Sequence, residues 1–223
     1  MRVAMLILFC QAVTLALACG SARALRAENR SQFMTGSEPR LPVDPAAVDY
    51  PLLAAAIFFE TNERRSQNGL EPLEHLPELD EAACLHAEAM VERDFFGHLN
   101  PYSAAIRTPA DRVRRQGLEI RFLAENIGEV LVLRYESGEQ VYLRQEDGRT
   151  AFSDEPGGEP LGKRSYLEIA EAIVDSWMLS PGHRRNILAS EAELFGAGCQ
   201  LESSGEPGMP LFTCVQLFFS PFD

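Results

Sequence analysis

Four histidines, one tryptophan and five cysteines are all that 223 residues contain of the side chains most used for metal binding, aromatic anchoring and thiol chemistry. Basic residues are also scarce, with 20 Lys and Arg against 33 Asp and Glu and a net charge of −13. Such a surface repels nucleic acid and anionic headgroups at long range, which argues against a nucleic-acid partner. Several catalytic patterns are missing. There is no Gly-x-Ser-x-Gly elbow, no His-Glu-x-x-His helix and no glycine-rich phosphate loop. Cys84 and His86 make no thiol–imidazole pair, because residues two apart on a helix point in different directions. Only one apolar run is long, "VAMLILFCQAVTLALAC" behind Arg2, and no later stretch approaches the ~20 residues of a membrane span.

That run, followed by the small residues Ala22 and Ala24, reads as a signal peptide over residues 1–24, so the mature chain is expected to be secreted or periplasmic. Lipidation at Cys19 is the competing reading. It is disfavoured because "ALAC" reverses the usual lipobox order at Ala16 and Leu17. Losing Arg2 and Arg23 leaves 18 basic against 33 acidic residues, a net charge of −15. Three cysteines remain. Cys199 and Cys214 flank the turn-rich "SSGEPGMP" and are expected to face each other across a hairpin as a disulfide, which export permits. Cys84, inside "DEAACLHAEAM", is expected to be a buried, inert thiol.

Residues 25–49 are polar, contain proline and lack a sustained period, so they read as a linker or mobile arm before a domain spanning 50–223. Helices are predicted over 51–69, 78–96, 108–118 and 164–179, the second capped by Asp80. Strands are predicted over 129–136, 140–146, 195–202 and 211–219. Helices thus come first and the best hairpin last, which favours an α+β fold over a βαβ repeat. Residues 134–162 have the character of an insertion, with a hairpin turning at Glu136-Ser137-Gly138 and then a loose Gly- and Pro-rich loop. It joins the "AENIG" segment to the helix leading into His183, so it is expected beside the site as a gate.

Three segments hold candidate chemistry: "FFGHLNP" with His98, "LAENIGE" with Glu125 and "SPGHRRNIL" with His183. Each alone has a bland reading as a turn, a strand start or helix punctuation, the last with Ser180 as N-cap and Pro181 at the first helical position. His86 is expected to be buried and bonded to backbone, and His75 to be exposed.

Taken together, "NERRSQNGLEPL", "AACLHAEAM", "GHLNP", "TPADRV", "AENIG", "WMLSPGHRRNIL", "GAG" and "CVQLFF" follow the order and wording of bacterial members of the CAP superfamily. This superfamily also holds the cysteine-rich secretory, antigen 5 and plant pathogenesis-related 1 proteins, and the chain resembles it from about Leu52 to Phe219. The resemblance implies a three-layer α-β-α sandwich with a cleft that, in animal and plant members, is lined by two histidines and two glutamates. Some members bind divalent metal there, often zinc, through the histidines. Carried over, His98, Glu125 and His183 match three of the four cleft residues. Ser180 stands where animal relatives have the second glutamate.

Two functions follow as expectations. The first is a secreted binding module whose cleft, lined by His98, Glu125, Ser180 and His183, receives a small apolar, lipid or peptide ligand of the cell envelope. The alternative is a metal-dependent, peptidase-like hydrolase in which His98 and His183 hold Zn2+ and Glu125 moves a proton. Zinc on two imidazoles would be weak and exchangeable. His183 in a first helical turn is expected to be neutral, as a metal requires, because the helix dipole disfavours imidazolium there. Glu125 would either orient one ring or act as the base.

Overall fold

A computed structural model of the chain describes residues 30–135, 140–146, 149–202 and 209–222. In chain order these form α1 (Arg30–Thr35), α2 (Tyr50–Gln67), β1 (Glu74–His75), α3 (Pro77–Arg93), α4 (Pro109–Arg115) and β2 (Phe122–Leu131). There follow β3 (Tyr142–Glu146), β4 (Arg149–Ser153), α5 (Tyr166–Leu179), α6 (Pro181–Ile187), β5 (Leu194–Glu202) and β6 (Leu211–Ser220). Short 3-10 turns at Glu38–Arg40 and Ala104–Ile106 complete the described elements.

The central sheet has the order β1-β5-β6-β2, antiparallel except where β1 meets β5. Side chains alternate between its faces. Ile127, Val215, Leu217 and Phe219 point to one side and pack with Leu79, Ala83, Met90 and Val113 of α3 and α4. Phe195, Ala197, Cys214 and Phe218 point to the other, where α2 and α5 supply Ile57, Phe58, Ile173 and Trp177. The architecture is therefore α+β, with three layers in the order helix, sheet, helix.

Local chemistry explains the elements. The Asp49 carboxylate accepts from Leu52 N–H, Pro51 occupies the first turn, and Leu52 to Thr61 are buried without interruption, as befits a helix enclosed on most sides. A Ser165–Glu168 capping box starts α5. Three of the seven buried residues of α3 are alanine, and the helix backbone at Leu79, Asp80 and Cys84 meets the glycines of the "GAG" in β5. A Cβ at Gly196 would stand 2.4 Å from the Leu79 carbonyl carbon, and one at Gly198 2.4 Å from Cys84 N. Small residues on both elements let the helix backbone lie directly on the strand. Cys199 and Cys214 oppose each other in the β5–β6 ladder and are disulfide-bonded with Cα atoms 4.1 Å apart, as expected. Cys84 is half-buried rather than buried and lies outside the disulfide.

Several expectations are corrected. Residues 30–49, part of the predicted linker, lie on the domain: Phe33 is buried with its ring centroid 4.6 Å from that of Phe59, and Val43 N–H donates to Arg164 O. One apolar residue per turn sufficed to dock this arm, which is too little to register as a period. Asp80 does not cap α3; the N-cap position is Leu76, while Asp80 is buried, accepting from Ala197 N–H and pairing with His75. His75 is accordingly not exposed, its side chain being 9% accessible.

Strand β2 begins seven residues earlier than the predicted strand, so "AENIG" lies within it, pairing with β6 throughout. Its polar Glu125 and Asn126 and its Gly128 masked the strand signal. The hairpin of the insertion pairs Tyr142–Glu146 with Arg149–Ser153, with positions 147–148 between them, and the predicted turn at Glu136-Ser137-Gly138 lies outside the described residues. Asp147-Gly148 is the stronger hairpin signal in the sequence. The insertion roots at the far end of β2 from Glu125, about 20 Å along the strand at Leu131.

Candidate functional site

Because β2 is an edge strand, every second backbone carbonyl points outward and needs a partner. Arg164 Nη1 supplies one to Leu131 O at 2.9 Å, and two further side chains supply one nearer the site. Trp177 Nε1–H donates to Ile127 O at 2.9 Å, and Asn186 Nδ2 donates to Glu125 O at 3.2 Å. Gly128 makes the first possible, since a Cβ there would stand 2.7 Å from Trp177 Nε1. The end of α5 and all of α6 are thereby docked on the β2 edge.

On one face of the strand, Glu125 is buried between two partners. His98 Nδ1–H donates to Oε1 at 2.9 Å and Arg112 Nη2 donates to Oε2 at 2.5 Å. Arg112 is fully buried, and its guanidinium also donates to the carbonyls of His98 (3.2 Å) and Ile106 (3.2 Å), which fixes the loop carrying His98. A reciprocal Thr108–Asp111 capping box sets the phase of α4 so that Arg112 and Val113 turn inward while Arg114 and Arg115 stay in water. A carboxylate only accepts, so His98 carries its hydrogen on Nδ1 and presents Nε2 from a ring that is 48% exposed.

On the opposite face, Asn126 is fully buried. Its Nδ2 donates to His183 O and Gln216 Oε1, both at 3.2 Å, its Oδ1 accepts from Asn186 Nδ2 at 2.8 Å, and Gln216 Nε2 donates to Thr61 Oγ1 at 2.7 Å. This chain of bonds ties the backbone of α6 to the sheet and to α2. The structure thus brings His98, Glu125 and His183 to one strand edge. Burial, and then the charge of His98, lowers the pKa of the His183 ring, so it is neutral near pH 7 as expected, although burial rather than the helix dipole is the leading cause. Ser180 is the N-cap residue of α6 by position, with Pro181 next, but its hydroxyl makes no cap bond.

Arg112, Asn126 and Asn186 were not singled out from sequence. Arg112 is hidden in "DRVRR", which looks like a solvated basic helix end; the Thr-x-x-Asp box preceding it carried the phase information. His86 is buried as expected, its Nε2–H donating to Gly97 O at 2.9 Å while Nδ1 has no partner among the described residues.

Glu125 is not available as a third metal ligand beside the two histidines. Both oxygens of Glu125 are committed to His98 and Arg112, and among the described residues no group of three His, Cys, Asp or Glu could hold a metal ion.

The lowered His86 pKa gives a first prediction. Burial lowers it to about 4, with Arg112 adding to the shift. As pH falls, the unfolded chain takes up this proton near its ordinary value of about 6.5 while the native ring stays neutral. Stability is therefore full above about pH 6.5 and falls progressively toward pH 4, by on the order of 3 kcal/mol from this group. Urea unfolding at pH 7 and pH 4.5 should show that loss in the wild type and a smaller one in His86→Gln.

A three-layer helix–sheet–helix sandwich is the arrangement that the sequence resemblance implied. The model of the cysteine-rich secretory protein family, CAP, matches residues 58–218, and the chain belongs to that family. No curated protein matches it. Among solved structures, the chain is similar to an extracellular protein containing an SCP domain from Bacillus anthracis. The identity is 19% over 80% of this chain and 44% of that one, with a TM-score of 0.50, which supports the fold. It spans less than half of that chain's length. Further likenesses are to an outer surface protein from Borrelia burgdorferi (16% identity, 74% of this chain and 90% of that one, TM-score 0.47) and a cysteine-rich secretory protein from Staphylococcus aureus (16%, 77% and 39%, TM-score 0.45). Among the described residues no helix is long and apolar enough to cross a membrane.

Proposed function

We propose that this CAP-domain protein is exported, as a secreted or periplasmic chain, and acts as a binding module. His98, Glu125, Ser180 and His183 form the polar centre of a cleft for an apolar small molecule, lipid or peptide of the envelope. The observation that carries this reading is the distribution of exposed apolar side chains. Of seven large ones among the described residues, Phe96, Leu99 and Tyr102 belong to the His98 segment and Leu179 precedes Ser180 in the His183 segment; they are 52–85% accessible. Exposed apolar residues in the two segments that carry the part-exposed imidazoles are the makings of an amphipathic contact. The hydrolase alternative is disfavoured because Glu125 is buried and both of its oxygens already accept hydrogen bonds, from His98 and Arg112.

A dansyl-labelled fatty acid is a suitable probe. Saturable binding is expected in the wild type, weakened about tenfold or more in the double change Leu99→Asp, Leu179→Asp with circular dichroism unchanged. Absence of saturable binding, or peptide or ester turnover abolished by Glu125→Gln, would overturn the reading. Zinc is expected to bind only weakly, through His98 Nε2 and the His183 ring, and calorimetry should lose that signal in His98→Ala and in His183→Ala.

A further inference from the structure

Beyond the C-terminal end of α6, a groove of about 580 Å3 runs between the end of α2 and the segment entering β5, with Arg65, Leu70, Glu71, Glu74 and Ser190 among its lining residues. Arg65 is only 3% exposed. Its Nη1 donates to Ile187 O and Ala189 O, each at 2.8 Å, and its Nε to Glu71 O at 3.0 Å. These are three of five N–H groups, and all three acceptors are uncharged. Among the described residues Nη2 has no hydrogen-bond partner and the guanidinium no carboxylate partner. Burial displaces its pKa downward with no acidic neighbour opposing the shift. A buried cation without a counter-ion is expensive, and bracing three carbonyls uses neither hydrogen of Nη2.

The geometry points to a second ligand site: we propose that this groove binds an amino acid or short peptide by its terminal carboxylate, held on Arg65 Nη2, with a cationic group of the same ligand facing Glu71 and Glu74. The two remaining N–H groups of Arg65 lie on the one nitrogen Nη2, where a carboxylate can accept a charge-assisted hydrogen bond. Three exposed acids line the rim; Glu193 is paired with Arg121, and Glu71 and Glu74 repel a phosphate dianion and attract an ammonium, so the ligand class is zwitterionic. The groove shares none of its lining residues with the His98–His183 region, and the inference stands apart from the function proposed there.

Titration of the full chain with lysyl-alanine, followed by 1H–15N spectra, tests it. The dipeptide should shift the Arg65 Nε–Hε signal and the amides of Gly69, Leu70 and Ser190, and its C-terminal amide should bind about tenfold or more weakly. Arg65→Lys should weaken the acid form by a similar factor. Should that variant fail to fold, Glu74→Lys, at an exposed position, should still weaken lysyl-alanine severalfold. No shift at about 10 mM dipeptide, or equal binding of acid and amide, overturns the proposal.

Discussion

Arg112→Met should destabilise the protein by about 3–5 kcal/mol, the cost of removing one partner from a buried ion pair and leaving the other charge behind. Arg112 is fully buried and Glu125 is 6% exposed, so water cannot replace the guanidinium without opening the layer between α4 and the sheet. The carbonyls of His98 and Ile106 lose the guanidinium donor in the same step, while Arg107 O keeps Asn100 N–H. Methionine fills much of the volume, which makes unpaired polar groups rather than a cavity the dominant loss. The double change Arg112→Met, Glu125→Leu removes both charges and should recover part of the deficit, leaving mainly the carbonyls unsatisfied. Denaturant unfolding of the three proteins measures this. A loss below about 1 kcal/mol in Arg112→Met would mean that the pair behaves as an exposed one and does not brace the site. His98 supplies the second readout. Without Arg112 its loop should loosen, and the Nδ1-protonated tautomer, visible in 15N spectra of the ring, should lose its dominance.

Much of the fold was legible because its helices bury continuous or periodic apolar faces: α2 and α5 lie within a few residues of their predicted bounds. Strand β2 was not, because an edge strand that hosts a polar site cannot show clean alternation. Glu125 is buried only because Arg112 and His98 arrive from other elements, Asn126 because Gln216 and Asn186 do, and Gly128 serves an indole 49 residues away in sequence. Local pattern carries no trace of partners supplied by distant segments. The same holds for His75, which looked solvated beside prolines yet meets Asp80 across the start of α3. His98, Glu125 and His183 were found as a set through the family resemblance; their bland individual contexts would have left them as punctuation. The braces that hold them, Arg112 and the Asn126–Asn186–Gln216 chain, became visible only in three dimensions.

Gly198→Ala should cost about 3 kcal/mol or more, despite adding a single methyl group, because overpacking is worst where the obstacle is backbone. The new Cβ would stand 2.4 Å from Cys84 N and 2.7 Å from Cys84 Cα and Sγ. A side chain can rotate away, but a helix backbone must move as a whole. To restore contact distance α3 has to rise by about 1 Å from β5, and it cannot do so locally, since Leu79 lies equally close over Gly196 one turn earlier. The displacement would reach the functional end of the molecule. α3 runs directly into the segment holding Gly97 and His98, and the His86 bond to Gly97 O couples the two. Gly198→Ala should therefore weaken probe binding in the fraction that still folds. Gly97→Ala is the control: a Cβ there meets nothing within 4 Å, so its stability should stay within about 0.5 kcal/mol of wild type. Equal melting curves for Gly198→Ala and the wild type would show that α3 is not seated on β5, and close helix–strand contact would then no longer account for the glycines of the "GAG" segment.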